Sequence, residues 1–190
     1  MDKDQIPKLV QLGSTQQDVQ QAQSLAKKVM QDNGYGSTLH NACAATLSEF
    51  MDLAGIDVPI TLGAGNLARR IQGRGWNQIS VGNQQAGDVA VADNDVHIFL
   101  VVQVINKDQM VIADNQAPGP HRRKASGDPE LDHTPVRYFL RAAGFTTPPV
   151  AALPEIQVLT SPPESDAFPQ ADEDTRNLKE PFKDNGEPAM

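Results

Sequence analysis

One cysteine stands in the chain, Cys43, together with four histidines, His40, His97, His121 and His133. A lone thiol rules out an internal disulfide and a multi-cysteine metal centre. It leaves two roles, a small apolar core residue or a nucleophile. A thiol attacks a carbonyl as thiolate, and a helix start favours that anion through unpaired backbone N–H groups and the helix macrodipole. The same N–H groups can hold the oxyanion of a tetrahedral intermediate. Asn41 is a good N-cap, and Leu47, Phe50, Met51 and Ala54 recur at helical spacing before Gly55 ends the run. A helix is therefore expected from Asn41 to about Ala54, with Cys43 in its first turn. The Cys43 amide is then one oxyanion donor, with Asn41 or His40 as candidates for a second.

The base is expected to be His97. It follows a polar turn, Asp93-Asn94-Asp95, and precedes the apolar run Ile98-Phe99-Leu100-Val101-Val102. A histidine at a strand mouth can face a cleft while the following residues enter the sheet. His40 is only three residues from Cys43, and His121 and His133 fall in loops punctuated by Pro and Gly. A third polar group must hold the imidazole in its working tautomer. The next strand ends in Ala113-Asp114-Asn115-Gln116, and in an antiparallel meander that end returns beside His97. Asp114 is preferred because a carboxylate also stabilises the imidazolium, with Asn115 as the alternative. The same residues admit a plain structural role: a core thiol, a histidine closing a turn, and a cluster of turn-forming polar side chains.

The elements that must carry these residues are legible as pattern. Ser14 with Gln17 is a capping-box pair. Val19, Ala22, Leu25, Ala26, Val29 and Met30 keep helical spacing up to Gly34, so a helix is expected over 14–33. A Gly-rich connector, Gly34-Tyr35-Gly36-Ser37-Thr38, leads to the cysteine helix. A short helix is expected over 66–72. After it come three runs rich in β-branched residues, 87–92, 96–105 and 110–113, separated by two tight turns. These predict an antiparallel meander. A last strand is expected over 136–140. Residues 148–190 hold 8 of the 14 prolines. Residues 151–190 carry 9 Asp or Glu against 3 Lys or Arg, the composition of a disordered acidic tail.

Helix with Cys, strand with His, then a strand ending in a polar residue: that order resembles the NlpC-like and CHAP families of papain-fold peptidases and amidases, over roughly residues 33–117. Gly87-Asp88 looks like the Gly-Asp strand that precedes their catalytic histidine. His97-Ile98-Phe99-Leu100-Val101 is similar to their histidine strand, and Val111-Ile112-Ala113-Asp114-Asn115 to the strand with their third member. Trp76 and Ile79 fit the same stretch. Tyr35 stands where an upstream aromatic shapes the cleft in those families, though close to Cys43. The nucleophile string departs from their Asp-Cys-Ser-Gly, since here it reads Ala42-Cys43-Ala44-Ala45.

The resemblance implies an α+β, papain-like domain over residues 1–147, N-terminal helices packed on a small antiparallel sheet, followed by the tail 148–190. It implies a cysteine amidase or endopeptidase with a Cys43, His97, Asp114 triad, acting on peptides of the bacterial cell wall without metal or cofactor. The same thiolate chemistry would serve a protein deamidase or an acyltransferase, and a non-catalytic binding module is the third alternative. Bulk properties remove other classes. Outside the tail the chain is nearly neutral, the only cationic cluster is His121-Arg122-Arg123-Lys124, and no basic surface for nucleic acid emerges. That cluster is expected to be a solvated loop. No apolar run approaches a membrane span. Met1-Asp2-Lys3-Asp4-Gln5 lacks the features of a secretory signal. A cytoplasmic product exported by a specialised secretion system or released, with an immunity or secretion partner, is the corresponding expectation.

Overall fold

A computed structural model describes residues 1–146, 156, 158–159, 168–169 and 171–179. Four helices, α1 (Ile6–Gly13), α2 (Gln16–Asp32), α3 (Cys43–Ala54) and α4 (Ala64–Gly73), precede a six-stranded antiparallel sheet. Its strands are β1 (Asn77–Ile79), β2 (Val89–Ala92), β3 (Ile98–Val104), β4 (Gln109–Ala113), β5 (His121–Lys124) and β6 (Val136–Arg141), in the order β1-β6-β2-β3-β4-β5. The chain is thus α+β.

The helix expected over 14–33 begins at Gln16, because the Thr15 hydroxyl rather than Ser14 accepts the Asp18 N–H at 3.2 Å. Ser14 instead turns back and donates to the Val10 carbonyl at 2.6 Å, closing α1. That helix lacks a sequence signal of its own. Eight residues, with Ile6, Leu9, Val10 and Leu12 as large apolar groups, give the periodicity too little length. Its packing nevertheless fixes the layer spacing. A Cβ on Gly13 would meet Leu100 Cδ2 at 2.8 Å, so α1 lies directly on the sheet.

The meander β2-β3-β4 forms as expected, with Val89 opposite Leu100 and Leu100 opposite Ala113. Strand alternation divides β3 between two cores. Ile98, Leu100 and Val102 join the helices in one, and Phe99 and Val101 join Ala90, Met110, Ile112 and Phe139 in the other. The second core is closed by curling of the sheet. The Ala125 N–H donates to Asp108 O at 2.7 Å and the Val136 N–H to Ala125 O at 2.8 Å, which carries the chain from the end of β5 to the start of β6.

β1 and β5 carry no apolar signal, and β5 is the stretch 121–124 expected to be a solvated loop. There the charged strand alternates, with Arg122 and Lys124 exposed and Arg123 buried. Gly87-Asp88 also has a structural meaning. Gly87 adopts φ +90°, and a Cβ there would come within 2.2 Å of Ile6. Buried Asp88 pairs with Arg141 at 2.8 and 2.7 Å, locking β2 to the neighbouring β6. Most of the tail expected to be disordered lies outside the described residues. Those that are described pack on the domain: Ile156 and Val158 against the main core, Phe168 and Leu178 against the cluster around Leu39 and Leu62. Among the described residues no helix is long and apolar enough to cross a membrane.

Candidate functional site

Cys43 is the first residue of α3. The helix starts later than expected, since the chain reaches it through Asn41 in a left-handed conformation, φ +58°. Ala42, with no capping side chain, occupies the N-cap position assigned to Asn41 from the sequence. The Cys43 amide is among the first N–H groups of the helix, which have no intrahelical acceptor. The start of α3 is tied to the loop after β4, and that loop to α2. The Asn115 amide donates to the Leu39 carbonyl at 2.8 Å. Buried Gln23, from α2, donates to the Asp114 and Ala117 carbonyls at 2.8 and 2.6 Å. The Gln-rich face of α2 is thus partly an anchor for the loop after β4.

His97 lies just before β3, and its Nε2 is 3.0 Å from Asp114 Oδ2, just after β4. Cys43 is a neighbour of the same ring and one of the groups that favour its charged form. Cys43, His97 and Asp114 are therefore brought together from the start of a helix, the residue before β3 and the residue after β4. Asn115, the alternative third member, points its amide at Leu39 instead. Asp114 has a second histidine on its other oxygen, with His121 Nε2 at 3.8 Å from Oδ1, and Oδ1 also accepts the Gln116 N–H at 2.7 Å. His40 and Asn41 sit at the mouth of α3. Tyr35 packs on the Leu39 cluster, and its hydroxyl accepts the Lys179 N–H at 2.9 Å.

The electrostatics follow from burial and from who faces whom. Burial works against charge on His97, but Asp172, Asp114 and Cys43 outweigh it and raise the imidazolium to about 10. Burial alone would push Asp114 up; His121 and His97 together hold it well below the ordinary carboxylate range. His121 is lowered by burial despite Asp114, and His133 falls to about 4 through burial and the neighbouring Arg123. An ionised Asp114 beside a charged His97 is the arrangement that stabilises an imidazolium next to a thiolate.

The site is closed in this structure, with Cys43 1% and His97 2% exposed. Residues 171–179 bond to residues on several sides of it. Gln116 donates to the Ala171 carbonyl at 2.7 Å. Asp172 takes the Arg123 guanidinium at 2.6 Å and the Thr134 N–H at 2.7 Å. Glu173 accepts the Asn41 N–H and faces His40 Nδ1 at 2.8 Å. Thr175 accepts the Ala64 N–H, at the start of α4, at 2.9 Å. Arg123 itself is stacked over Phe99, 4.8 Å from the ring centroid, and donates to Gln116 Oε1 at 3.1 Å.

None of Gln23, Gln116, Arg123, Asp172 and Glu173 is singled out by the sequence. The one available signal was the alternation of β5, which a run of four basic residues conceals. Among the described residues no three His, Cys, Asp or Glu side chains converge as a metal site. An open cleft of about 760 Å³, lined by Arg69, Gln72, Gln78, Arg137 and Tyr138 among others, includes none of Cys43, His97 and Asp114. Compared with known proteins, the chain matches no family model, no curated protein and no solved structure.

Proposed function

We propose that the protein is a papain-like cysteine amidase or endopeptidase of the NlpC-like or CHAP type, acting on bacterial cell-wall peptides. The observation that carries it is the buried His97–Asp114 hydrogen bond, with Cys43 beside the ring as the first residue of α3. A nucleophile beside its base, and the base bonded to an orienting carboxylate, is the geometry that thiol acyl transfer needs. With Nε2 engaged by Asp114, Nδ1 is left to serve the thiol.

In this mechanism the thiol proton is already on His97, which the site keeps charged, and the sulfur bonds as thiolate to the substrate carbonyl carbon. The Cys43 amide donates to the resulting oxyanion. Collapse breaks the C–N bond, His97 delivers its proton to the leaving amine, and a thioester remains on Cys43. Water then attacks the thioester with His97 as base, releasing the carboxylic acid and restoring the thiol. Asp114 holds the ring and offsets its positive charge throughout.

The test is digestion of purified peptidoglycan by the wild type, by the strap-loosened variant described below and by Cys43→Ala, with fragments identified by mass spectrometry. Fragments absent only with Cys43→Ala support the proposal and name the bond. Ammonia release from protein glutamine without cleaved peptide would move the reaction to deamidation. A Cys43 as inert toward iodoacetamide as a core thiol, even with the site opened, would leave a binding module.

A further inference from the structure

The protein's own acidic segment lies beside the closed site, and its contacts there are polar and specific. Ala171-Asp172-Glu173-Asp174-Thr175 spans from the loop after β4, past Asn41 at the mouth of α3, to the start of α4. Gln116, two residues after Asp114, holds its first end. Asn41, two residues before Cys43, bonds its middle. Ala64 and Tyr35 hold its far end through Thr175 and Lys179. Asp172 is the leading negative influence on His97. The Glu173 carboxylate sits on an N–H beside the helix start where an oxyanion would seek donors. Its side chains thus use the same groups a substrate acyl chain would need.

We propose that residues 171–179 form a built-in competitive strap over the active site, held by Asp172, Glu173 and Thr175, which must leave before a peptide can reach Cys43. The inference rests on the cysteine-hydrolase proposal for the identity of the site, but the blocking itself depends only on access to the thiol. A peptide that displaces the strap meets Arg123 and His40, two cationic or proton-donating partners now satisfied by adjacent carboxylates. The cleft is therefore suited to acidic peptides, with carboxylates placed like those of Asp172 and Glu173.

The experiment uses the full-length chain and the double variant Glu173→Gln, Thr175→Val, which loosens the strap without stranding the buried Arg123 charge. Hydrogen exchange of amides 172–179 reports release, and the rate of iodoacetamide modification of Cys43 near neutral pH reports access. Faster exchange is expected together with labelling accelerated roughly tenfold or more, because a buried thiol reacts only from the opened fraction. A synthetic peptide covering 168–179 should slow the variant's labelling again. The same peptide with Asn and Gln at 172 and 173 should not.

Two results would overturn the strap: released amides with unchanged labelling, or amides as protected as in the wild type in both the double variant and Asp172→Ala, since the named contacts would then not be what holds the segment. If the double variant does not fold, Glu173→Gln alone, read by the same pair of measurements, decides in the same way. Labelling that rises on release, yet only to the rate of the urea-unfolded chain, would uphold the strap while removing the activated thiol on which the hydrolase proposal depends.

Discussion

At the scale of single residues, the site turns on a histidine that burial alone would discharge. The carboxylates of Asp172 and Asp114 reverse that preference and carry His97 from 6.5 to about 10. A base raised by folding stabilises the native state fully below about 6.5, and the contribution fades as pH rises toward about 10. Urea unfolding of the wild type should therefore weaken between pH about 6 and about 10 by more than that of His97→Gln. Equal pH dependence in the two proteins would mean that the imidazolium is not held. The orienting role of Asp114 has a separate signature. Asp114→Asn keeps a hydrogen-bonding side chain but lets the ring take the wrong tautomer, so turnover should fall by roughly 10³-fold or more with little loss of fold. Activity within a few-fold of wild type would remove Asp114 from the site.

At the scale of elements, what was legible in the sequence is what hydrophobic period alone determines. The helix bearing Cys43 and the meander bearing His97 and Asp114 are long or strongly β-branched, and each emerged within a few residues of its place. The elements that escaped were specified otherwise. α1 owes its place to burial of Ile6, Leu9 and Val10 under the sheet. β5 owes its place to the partners of Arg123, one of which, Asp172, arrives from a segment 49 positions later. The cap of α3 was misplaced because Asn41 serves in a left-handed turn, a backbone choice no pattern of apolar residues encodes.

α3 also carries a buried charge that the proposed chemistry does not use. Burial, aided by Asp52 one turn on, raises the Glu49 carboxyl from 4.5 to about 6. Because an acid with a raised folded value binds its proton more tightly when folded, its ionisation destabilises the native state as pH rises through that range. Glu49→Gln should then stabilise the protein at neutral pH by up to about 2 kcal/mol and make little difference below pH about 4. Thermal melts at the two pH values check this. A variant less stable at neutral pH would show that Glu49 has an ionic partner worth keeping.

At the scale of the whole molecule, the question is whether residues 171–179 belong to the core or only rest on it. Their anchor is a fully buried ion pair, Arg123 with Asp172, at 2.6 Å. Removing one member of such a pair inside a permanent core strands a charge away from water, at a cost of about 3–5 kcal/mol, and removing both relieves most of it. A strap behaves differently. Once Asp172 is gone the segment lifts, water reaches Arg123, and the stranded charge never forms. Asp172→Ala, Arg123→Met and the double variant should therefore lose similar amounts of unfolding free energy, on the order of 1–2 kcal/mol each, while all three expose Cys43. Urea denaturation of the three proteins measures the difference. A large loss in Asp172→Ala that Arg123→Met restores would make the segment an integral part of the domain, because only a charge with no route to water can be rescued by deleting its partner. Similar small losses, together with rapid labelling of Cys43, would mean that the ion pair's principal work is to keep the site shut rather than to keep the chain folded.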